Sequence, residues 1–198
     1  MRFQLDRGVQ LRWLPEQIVP LAAAVKLARR CNEFAADMRN RFPGRFRNFA
    51  VLQTPFADLA ATELEYALDT LQADGVVLPG STDGVFPGDP RYDELMAELD
   101  RRPVTVFVHP NIHATSAQPG LGAPGFLVEF LCDATPAAVN PILTGTLENY
   151  PRIRWIPAQS GGFLPYVAWP YPIRRMPAGQ LPNSVSPAAL HRSRVVAL

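Results

Sequence analysis

The stretch Val104–Pro110, with the sequence VTVFVHP, decides the fold class of this chain. It is a short run of β-branched and apolar residues that ends in His109 and a proline. A parallel strand that is covered on both faces has this composition, because neither face needs polar side chains. Ligands and functional side chains of α/β folds gather at the carboxyl ends of such strands. We therefore take His109 as the first candidate functional residue.

The composition is that of an ordinary soluble globular protein. Hydrophobic residues make up 47% of the 198 residues, and 19 basic against 18 acidic side chains give a net charge of +1. This balance favours neither nucleic acid nor an anionic membrane as a partner. No signal peptide is visible, and no apolar run approaches the roughly 18 residues of a membrane span. Cys31 and Cys132 have no CxxC spacing and predict two buried free thiols in a reducing cytoplasm.

Strand and helix patterns alternate along the chain before Val104. Short apolar runs between turn residues predict strands, and apolar residues three and four positions apart predict helices. A further strand, at Val9–Leu14, is only weakly indicated. The clearer predicted elements, in chain order, are a helix at Ile18–Met38, a strand at Phe46–Thr54, a helix at Ala60–Gln72 capped by Asp58 or Thr62, a strand at Gly75–Leu78, and a helix opened by Asp89 and Pro90.

The alternation continues after His109. Asn111–Gly125 is a long loop rich in Gly, Pro and Ser, and long loops inside compact domains are often functional. The predicted elements that follow are helices at Phe126–Leu131 and Pro136–Tyr150, the second capped by Thr135, a strand at Pro151–Ala158, and a helix that begins at Phe163. From Pro170 onward no periodicity remains and prolines recur, which predicts an irregular or disordered tail over residues 170–198.

This order of elements predicts an α/β fold built from parallel βα units. A closed (β/α)8 barrel needs about 250 residues, or roughly 30 for each unit. Residues 1–169 have room for about five such units. We therefore expect these residues to form a partial (β/α)8 TIM-barrel-like domain of four to five parallel units, unless the small sheet stays open.

Four stretches together resemble one protein family. They are RFPGRFRNFAVLQ, DGVVLPGSTDGVFPGDPRYDELMAELDRR, VTVFVHP, and PGFLVEFLCDATPAAVNPILTGTLENYPRIRWIPAQSGGFLPYVAW. In their order, spacing and sequence motifs they resemble the amidohydrolase-related family. The resemblance is to the branch that contains metal-dependent decarboxylases of the aminocarboxymuconate-semialdehyde type. The resemblance runs from about Leu21 to Trp169.

The resemblance implies a distorted (β/α)8 barrel with a divalent metal ion, usually zinc, at the carboxyl ends of the strands. It also implies hydrolysis or non-oxidative decarboxylation of a small carboxylated or aromatic substrate. The ligands of the family are an H-x-H pair on the first strand, the histidine of a VFVHP-like strand, a histidine in an H-A-G-G motif, and an aspartate on a late strand.

Only one of these ligands matches a residue of this sequence. His109 occupies the position of the VFVHP histidine, and Gln159 stands where the family has the H-A-G-G histidine. The sequence contains no H-x-H pair, and the late aspartate would follow Trp169, where the resemblance ends. We expect zinc first among the metals at His109, although a catalytic zinc ion needs three protein ligands. The amide oxygen of Gln159 is a weak substitute for an imidazole.

Two other histidines are weaker candidates. His113 follows His109 by four residues, but Pro110 and the loop composition argue against a helical pair of ligands. His191 lies in the proline-rich tail and has no supporting motif. We expect both to be structural or solvent-exposed residues.

Three further features have structural explanations. Asp83 follows a strand but belongs to an Asp-Gly pair, which is typical of a turn. The pair Gly161-Gly162 favours a tight strand-to-helix turn over a phosphate site. Ser160 has no histidine base in its sequence context, which argues against a hydrolase triad.

Two functional hypotheses remain open at this point. The first is an amidohydrolase-type enzyme, a hydrolase or decarboxylase that needs a divalent metal ion and acts on a small molecule. The second is a catalytically inactive fragment or an interaction module that has lost most metal ligands. A partial barrel exposes sheet edges and an apolar face, so a homo-oligomer that covers them is expected under the second hypothesis.

Overall fold

The structure is a computed structural model, and it describes residues 21–111 and 126–167. Three predicted segments lie outside the described residues. They are the strand at Val9–Leu14, most of the long loop with His113, and the tail over residues 170–198 with His191.

The sheet has four parallel strands in the order in which they occur in the chain. The strands are β1 (Phe49–Val51), β2 (Gly75–Pro79), β3 (Thr105–His109) and β4 (Arg154–Pro157). Sequential parallel order is what successive βα units produce in a barrel wall. The predicted α/β fold is therefore confirmed, although β1 is much shorter than the predicted strand at Phe46–Thr54.

Helices follow each strand and precede the first. They are α1 (Leu21–Arg41), α2 (Ala57–Glu65), α3 (Asp93–Arg101), α4 (Phe126–Leu143), α5 (Thr146–Asn149) and α6 (Leu164–Val167). A π-helical segment, Tyr66–Thr70, extends α2, and a 3-10 turn, Pro90–Tyr92, precedes α3. The Asp89 side chain accepts a hydrogen bond from the Arg91 backbone N–H and so caps that turn, as its place before Pro90 predicts.

Two predicted helix starts are wrong. No side chain caps α2, which begins at Ala57; the Thr62 hydroxyl instead donates to the Asp58 carbonyl within the helix. The helix α4 runs unbroken through Pro136 and Pro141, so Thr135 is an interior residue and not a cap. Its hydroxyl donates to the Leu131 carbonyl at 2.7 Å within the helix.

One face of the sheet is buried and the other is half open. Along β3 the side chains alternate, with Val106 and Val108 buried and Thr105, Phe107 and His109 half-buried. The expectation that this strand is covered on both faces is therefore wrong for the described residues, because the helices pack against one face. The core on that face contains residues of all four strands and of α2 and α3, including Ala50, Leu52, Leu64, Val76, Leu78, Leu95, Met96, Leu99, Val106, Val108 and Trp155.

The outer edge of β1 is closed by a side chain of α1. The Asn32 carboxamide donates to the Val51 carbonyl at 3.0 Å and accepts from the Val51 N–H at 2.8 Å. Asn32 also donates to buried Glu63 at 2.7 Å, and Arg29 pairs with the same carboxylate at 2.8 Å. The amide of Asn32 thus replaces one residue of a neighbouring strand, which reduces the exposed hydrogen-bonding edge.

Two sequence expectations, on apolar runs and on the cysteines, differ from the structure. By its length and its apolar composition α4 could cross a membrane, and it is the one such helix among residues 21–111 and 126–167. It reaches this length because its prolines do not end it. It packs against β3 and β4. Cys31 and Cys132 are both free thiols, as predicted, but Cys31 is only half-buried and Cys132 lies exposed on α4.

Candidate functional site at the strand ends

His109 ends β3, and a backbone carbonyl contacts one nitrogen of its ring. The ring nitrogen Nδ1 lies 2.8 Å from the Pro110 carbonyl oxygen. A carbonyl oxygen only accepts, so this contact needs a proton on Nδ1, and in the neutral ring Nε2 is then the nitrogen with the lone pair. Metal-binding histidines are commonly oriented in this way, by a backbone carbonyl on the second ring nitrogen.

A strip of aromatic rings leads along the half-open face of the sheet to His109. The ring centroids of Phe49 and Phe107 lie 6.1 Å apart, and those of Phe107 and His109 also lie 6.1 Å apart. His109 then contacts Phe130 of α4 edge to face at 5.7 Å, and Phe130 contacts Phe126 at 6.3 Å. These distances are typical of favourable aromatic pairs. The strip, Phe49, Phe107, His109, Phe130 and Phe126, is a surface on which a flat apolar ring can pack.

A buried carboxyl group joins the ends of β2 and β3 to helix α4. Asp133 is 5% exposed. Its Oδ1 accepts from the Ser81 hydroxyl at 2.5 Å, and its Oδ2 accepts from the Asn111 backbone N–H at 2.7 Å. The Asn111 carboxamide also donates to the Ser81 carbonyl at 3.2 Å. Asp133 therefore fixes the first residues of the loops that border His109.

Gly80 allows this close approach of α4 to the strand ends. A Cβ atom at Gly80 would overlap Asp133 Oδ2 and lie 3.1 Å from Pro110 Cα. The Gly80 N–H donates to the His109 carbonyl at 2.6 Å, which extends the pairing of β2 and β3 by one bond. Glycine is required here for space and not for a left-handed backbone.

Asp133 was missed by the sequence analysis. It stands within FLVEFLCDATPAA, a largely apolar helix, and an acidic residue that α4 turns toward the sheet must find hydrogen-bond donors. An acidic side chain within a mostly apolar helix is the signal that could have identified it, and Glu129 shares this signal.

The segment after β4 forms the predicted tight turn. Gln159 and Ser160 are exposed and have positive φ angles of 47° and 54°. A Cβ atom at Gly162 would come within 2.5 Å of the Leu131 carbonyl and the Thr135 hydroxyl of α4. The Phe163 N–H donates to that hydroxyl at 2.8 Å. These contacts support a packing role for Gly162. The Phe163 N–H, which a phosphate site at this turn would need as a donor, is already bonded to Thr135.

A second polar group at the strand ends consists of buried hydroxyls. Tyr92, which is 4% exposed, forms side-chain hydrogen bonds with Thr54 and Thr82. Burial raises the pKa of Tyr92 to about 12, and the two threonine hydroxyls offset part of that shift. Asp83 next to Thr82 is exposed, has a φ of 49° and precedes Gly84 in a turn, as the Asp-Gly pair predicts.

The described residues do not form a complete metal centre. Within 21–111 and 126–167, no group of three or more His, Cys, Asp and Glu side chains is placed to hold a metal ion. His109 is one ligand position of the expected kind, but three protein ligands are typical of catalytic zinc. No reaction step through a metal ion follows from this part of the chain.

Comparison with known proteins places the chain in a family. A family model of amidohydrolases matches residues 15–183. The chain belongs to the amidohydrolase family. The sequence resemblance that His109 and its flanking motifs indicated is therefore confirmed.

The relatives of this amidohydrolase include decarboxylases of aromatic acids. The 6-methylsalicylic acid decarboxylase of Penicillium expansum is 34% identical over 151 residues, which are 73% of this chain and 45% of the relative. The gamma-resorcylate decarboxylase of Rhodococcus jostii is 29% identical over 159 residues, with 74% of this chain and 48% of the relative covered. The chain spans about half the length of the curated relatives it matches.

Solved structures share the fold of this amidohydrolase. An amidohydrolase II has a TM-score of 0.71 at 28% identity and covers 74% of this chain and 48% of its own. A dihydroxybenzoic acid decarboxylase from Polaromonas sp., solved with manganese and the inhibitor 2-nitroresorcinol, has a TM-score of 0.78 at 23% identity, over 91% of this chain and 58% of its own. The predicted partial TIM-barrel fold is confirmed, and the family match favours the enzyme lineage over an inactive interaction module.

Proposed function

We propose that this amidohydrolase provides His109 to a site that binds a divalent metal ion and decarboxylates a small aromatic carboxylate. The observation on which the proposal rests is the His109 ring, held at a strand end by the Pro110 carbonyl with Nε2 left as the donor atom. Imidazole nitrogen in this tautomer is a common ligand of divalent metals. The aromatic strip beside it offers a surface for the ring of such a substrate.

The identity of the metal is part of the proposal. The family resemblance predicts zinc, whereas the Polaromonas decarboxylase was solved with manganese. Imidazole ligands suit several first-row metals, so His109 alone does not select between the two. Binding is therefore best measured for both ions.

The test is metal binding by the purified chain and by His109→Ala. We expect the wild-type chain to bind zinc or manganese in isothermal titration calorimetry, and the variant to bind at least about tenfold more weakly, since second-shell changes alone cost 10- to 100-fold. His113→Ala is the matched control and is expected to bind as the wild type does. Far-UV circular dichroism of each variant separates loss of a ligand from loss of the fold.

Activity is measured on the substrate classes that the relatives' names give. Release of CO2 from 6-methylsalicylate or 2,6-dihydroxybenzoate is expected in the presence of the bound ion, with His109→Ala inactive. A chain that binds neither zinc nor manganese, or binds them equally well without His109, contradicts the proposal.

We also propose that copies of this chain associate through the edges of the sheet. Within the described residues β4 pairs only with β3, so its outer edge is open, and an unpaired strand edge favours association. Sedimentation velocity is expected to show a dimer or larger species at micromolar concentration. A monomer over the whole concentration range rejects this part of the proposal and leaves the metal site untouched.

A cytoplasmic location completes the proposal. Cys31 and Cys132 are both free thiols, which suits a reducing compartment. Fractionation of cells that express the chain, with the fluorescence of a fused reporter as readout, tests this location.

A further inference from the structure

Gln53 is a buried side chain whose polar atoms have no partners. It follows β1 and is 7% exposed. Neither its Nε2 nor its Oε1 forms a hydrogen bond. A buried carboxamide without partners destabilises the folded chain, because it gives up its hydrogen bonds to water and gains none in return.

The fold provides partners for its other buried carboxamides. Asn32 bonds to Val51 and Glu63, and Asn48 accepts a hydrogen bond from Arg39 at 3.2 Å. Both lie where α1 meets the chain near β1. Gln53 departs from this pattern, so its partner is expected to come from a ligand.

The position of Gln53 places it at the candidate site. β1 ends at Val51, which is half-buried, and Leu52 is in the core; extending the alternation of the strand by two residues assigns Gln53 to the half-open face. Val51 pairs with Val77 of β2, and continuing this register by two residues sets Gln53 beside Pro79. Pro79 in turn pairs with His109. Gln53 and His109 therefore belong to one row across the carboxyl end of the sheet, two strand spacings or roughly 10 Å apart.

The chemistry of the carboxamide defines the group that it would bind. A carboxamide offers two N–H donors and one carbonyl acceptor. A carboxylate only accepts and would leave Oε1 unpaired, whereas a phenolic hydroxyl both donates and accepts. The aromatic strip beside His109 suits the ring that bears such a hydroxyl.

We propose that the Gln53 carboxamide binds a ring hydroxyl of a hydroxyaryl carboxylate at the carboxyl ends of the strands and so selects hydroxylated over plain aryl carboxylates. The proposal rests on the proposed function, since it takes the ligand to be an aromatic acid. It assigns Gln53 to substrate selection and gives it no part in the bond-breaking step.

The test compares two ligands on two variants of the full chain, with manganese present. Binding of 2,6-dihydroxybenzoate and of benzoate is measured by isothermal titration calorimetry. Gln53→Met keeps the shape of the side chain and removes its polar atoms. Trp155→Phe is the matched control, because Trp155 Nε1 is also buried and unpartnered but lies in the core on the other face.

We expect the wild-type chain to bind 2,6-dihydroxybenzoate about tenfold more tightly than benzoate, which is the scale of one well-placed hydrogen bond. Gln53→Met is expected to lose this preference while binding benzoate unchanged, and Trp155→Phe to keep it. The variant is also expected to unfold at the same or a higher urea concentration than the wild type, because an unpaired buried group has been removed.

Three results overturn the inference. The role of Gln53 is rejected if the wild-type chain binds both ligands equally, or if Gln53→Met keeps the preference for 2,6-dihydroxybenzoate. Neither of these results contradicts the proposed function. A variant that is clearly less stable, confirmed with Gln53→Leu, shows that Gln53 supports the fold instead. A wild-type chain that binds neither aromatic acid rejects the proposed function as well.

Discussion

Two strand ends along the same carboxyl edge of the sheet differ in how their buried polar groups are paired. Where β2 and β3 end, Asp133 receives hydrogen bonds from Ser81 and Asn111 and is fully built into the fold. Where β1 ends, Gln53 is equally buried and has no partner for either amide atom. The first end is stabilised by its polar group, and the second end is destabilised by it. Asp133 supports the fold through its partners, whereas Gln53 and Trp155 Nε1 have none, and of these two only Gln53 belongs to the row of residues that contains His109.

The largest effect is expected from removing the partnered group. Asp133→Leu removes the carboxylate that accepts from the buried Ser81 hydroxyl and from the half-buried Asn111 backbone N–H. Losing the partner of a buried group costs about 1–3 kcal/mol, so the free energy of unfolding should fall by about 3 kcal/mol. Urea denaturation followed by circular dichroism measures this loss. Gln53→Met under the same conditions is the comparison, and a similar loss in both variants would remove the distinction between the two strand ends.

A smaller effect is expected where the backbone approaches Asp133. Gly80→Ala places a Cβ atom against Asp133 Oδ2. Overpacking of this kind costs about 1–3 kcal/mol, so we expect the free energy of unfolding to fall by about 2 kcal/mol. The double variant with Asp133→Ala should recover most of that loss, since the clashing oxygen is gone. Strictly additive losses in this mutant cycle would show that the strain at Gly80 has another source.

The sequence was informative where one local pattern decides the structure. The apolar run VTVFVHP gives β3 with His109 at its end, and Asp89-Pro90 marks the start of the turn that leads into α3. The buried side of α3 consists of Leu95, Met96 and Leu99, whose spacing of three and four residues is that of an amphipathic helix.

Local patterns failed where packing outweighs them. Pro136 indicated a helix start, but α4 continues through it because the apolar helix is packed on β3 and β4. The partners of Asp133 lie 22 and 52 residues away in sequence, so no window of neighbouring residues contains this network. Gln53 is recognisable only by the absence of partners, which is a property of the folded chain.

The smallest expected effect is a change of stability with pH that comes from a third buried polar group, the hydroxyl of Tyr92. Like Asp133 and unlike Gln53, this group has hydrogen-bond partners. Burial raises its pKa to about 12, whereas the unfolded chain has an ordinary tyrosine pKa of 10. Between pH 10 and pH 12 the unfolded state releases this proton while the folded state keeps it, so this contribution to stability is complete below pH 10 and is lost as the pH rises toward 12.

The difference between wild type and Tyr92→Phe isolates that contribution. The variant should lose about 1 kcal/mol at neutral pH with the hydrogen bonds to Thr54 and Thr82, and the gap in unfolding free energy should close and then reverse between pH 10 and pH 12, because a shift of two pKa units outweighs about 1 kcal/mol. Urea denaturation at successive pH values measures the gap, and absorbance at the tyrosinate band should show the wild-type phenol ionising late. A gap that stays constant up to pH 12 would mean that the Tyr92 hydroxyl reaches water, so that it is not a buried, partnered group like Asp133.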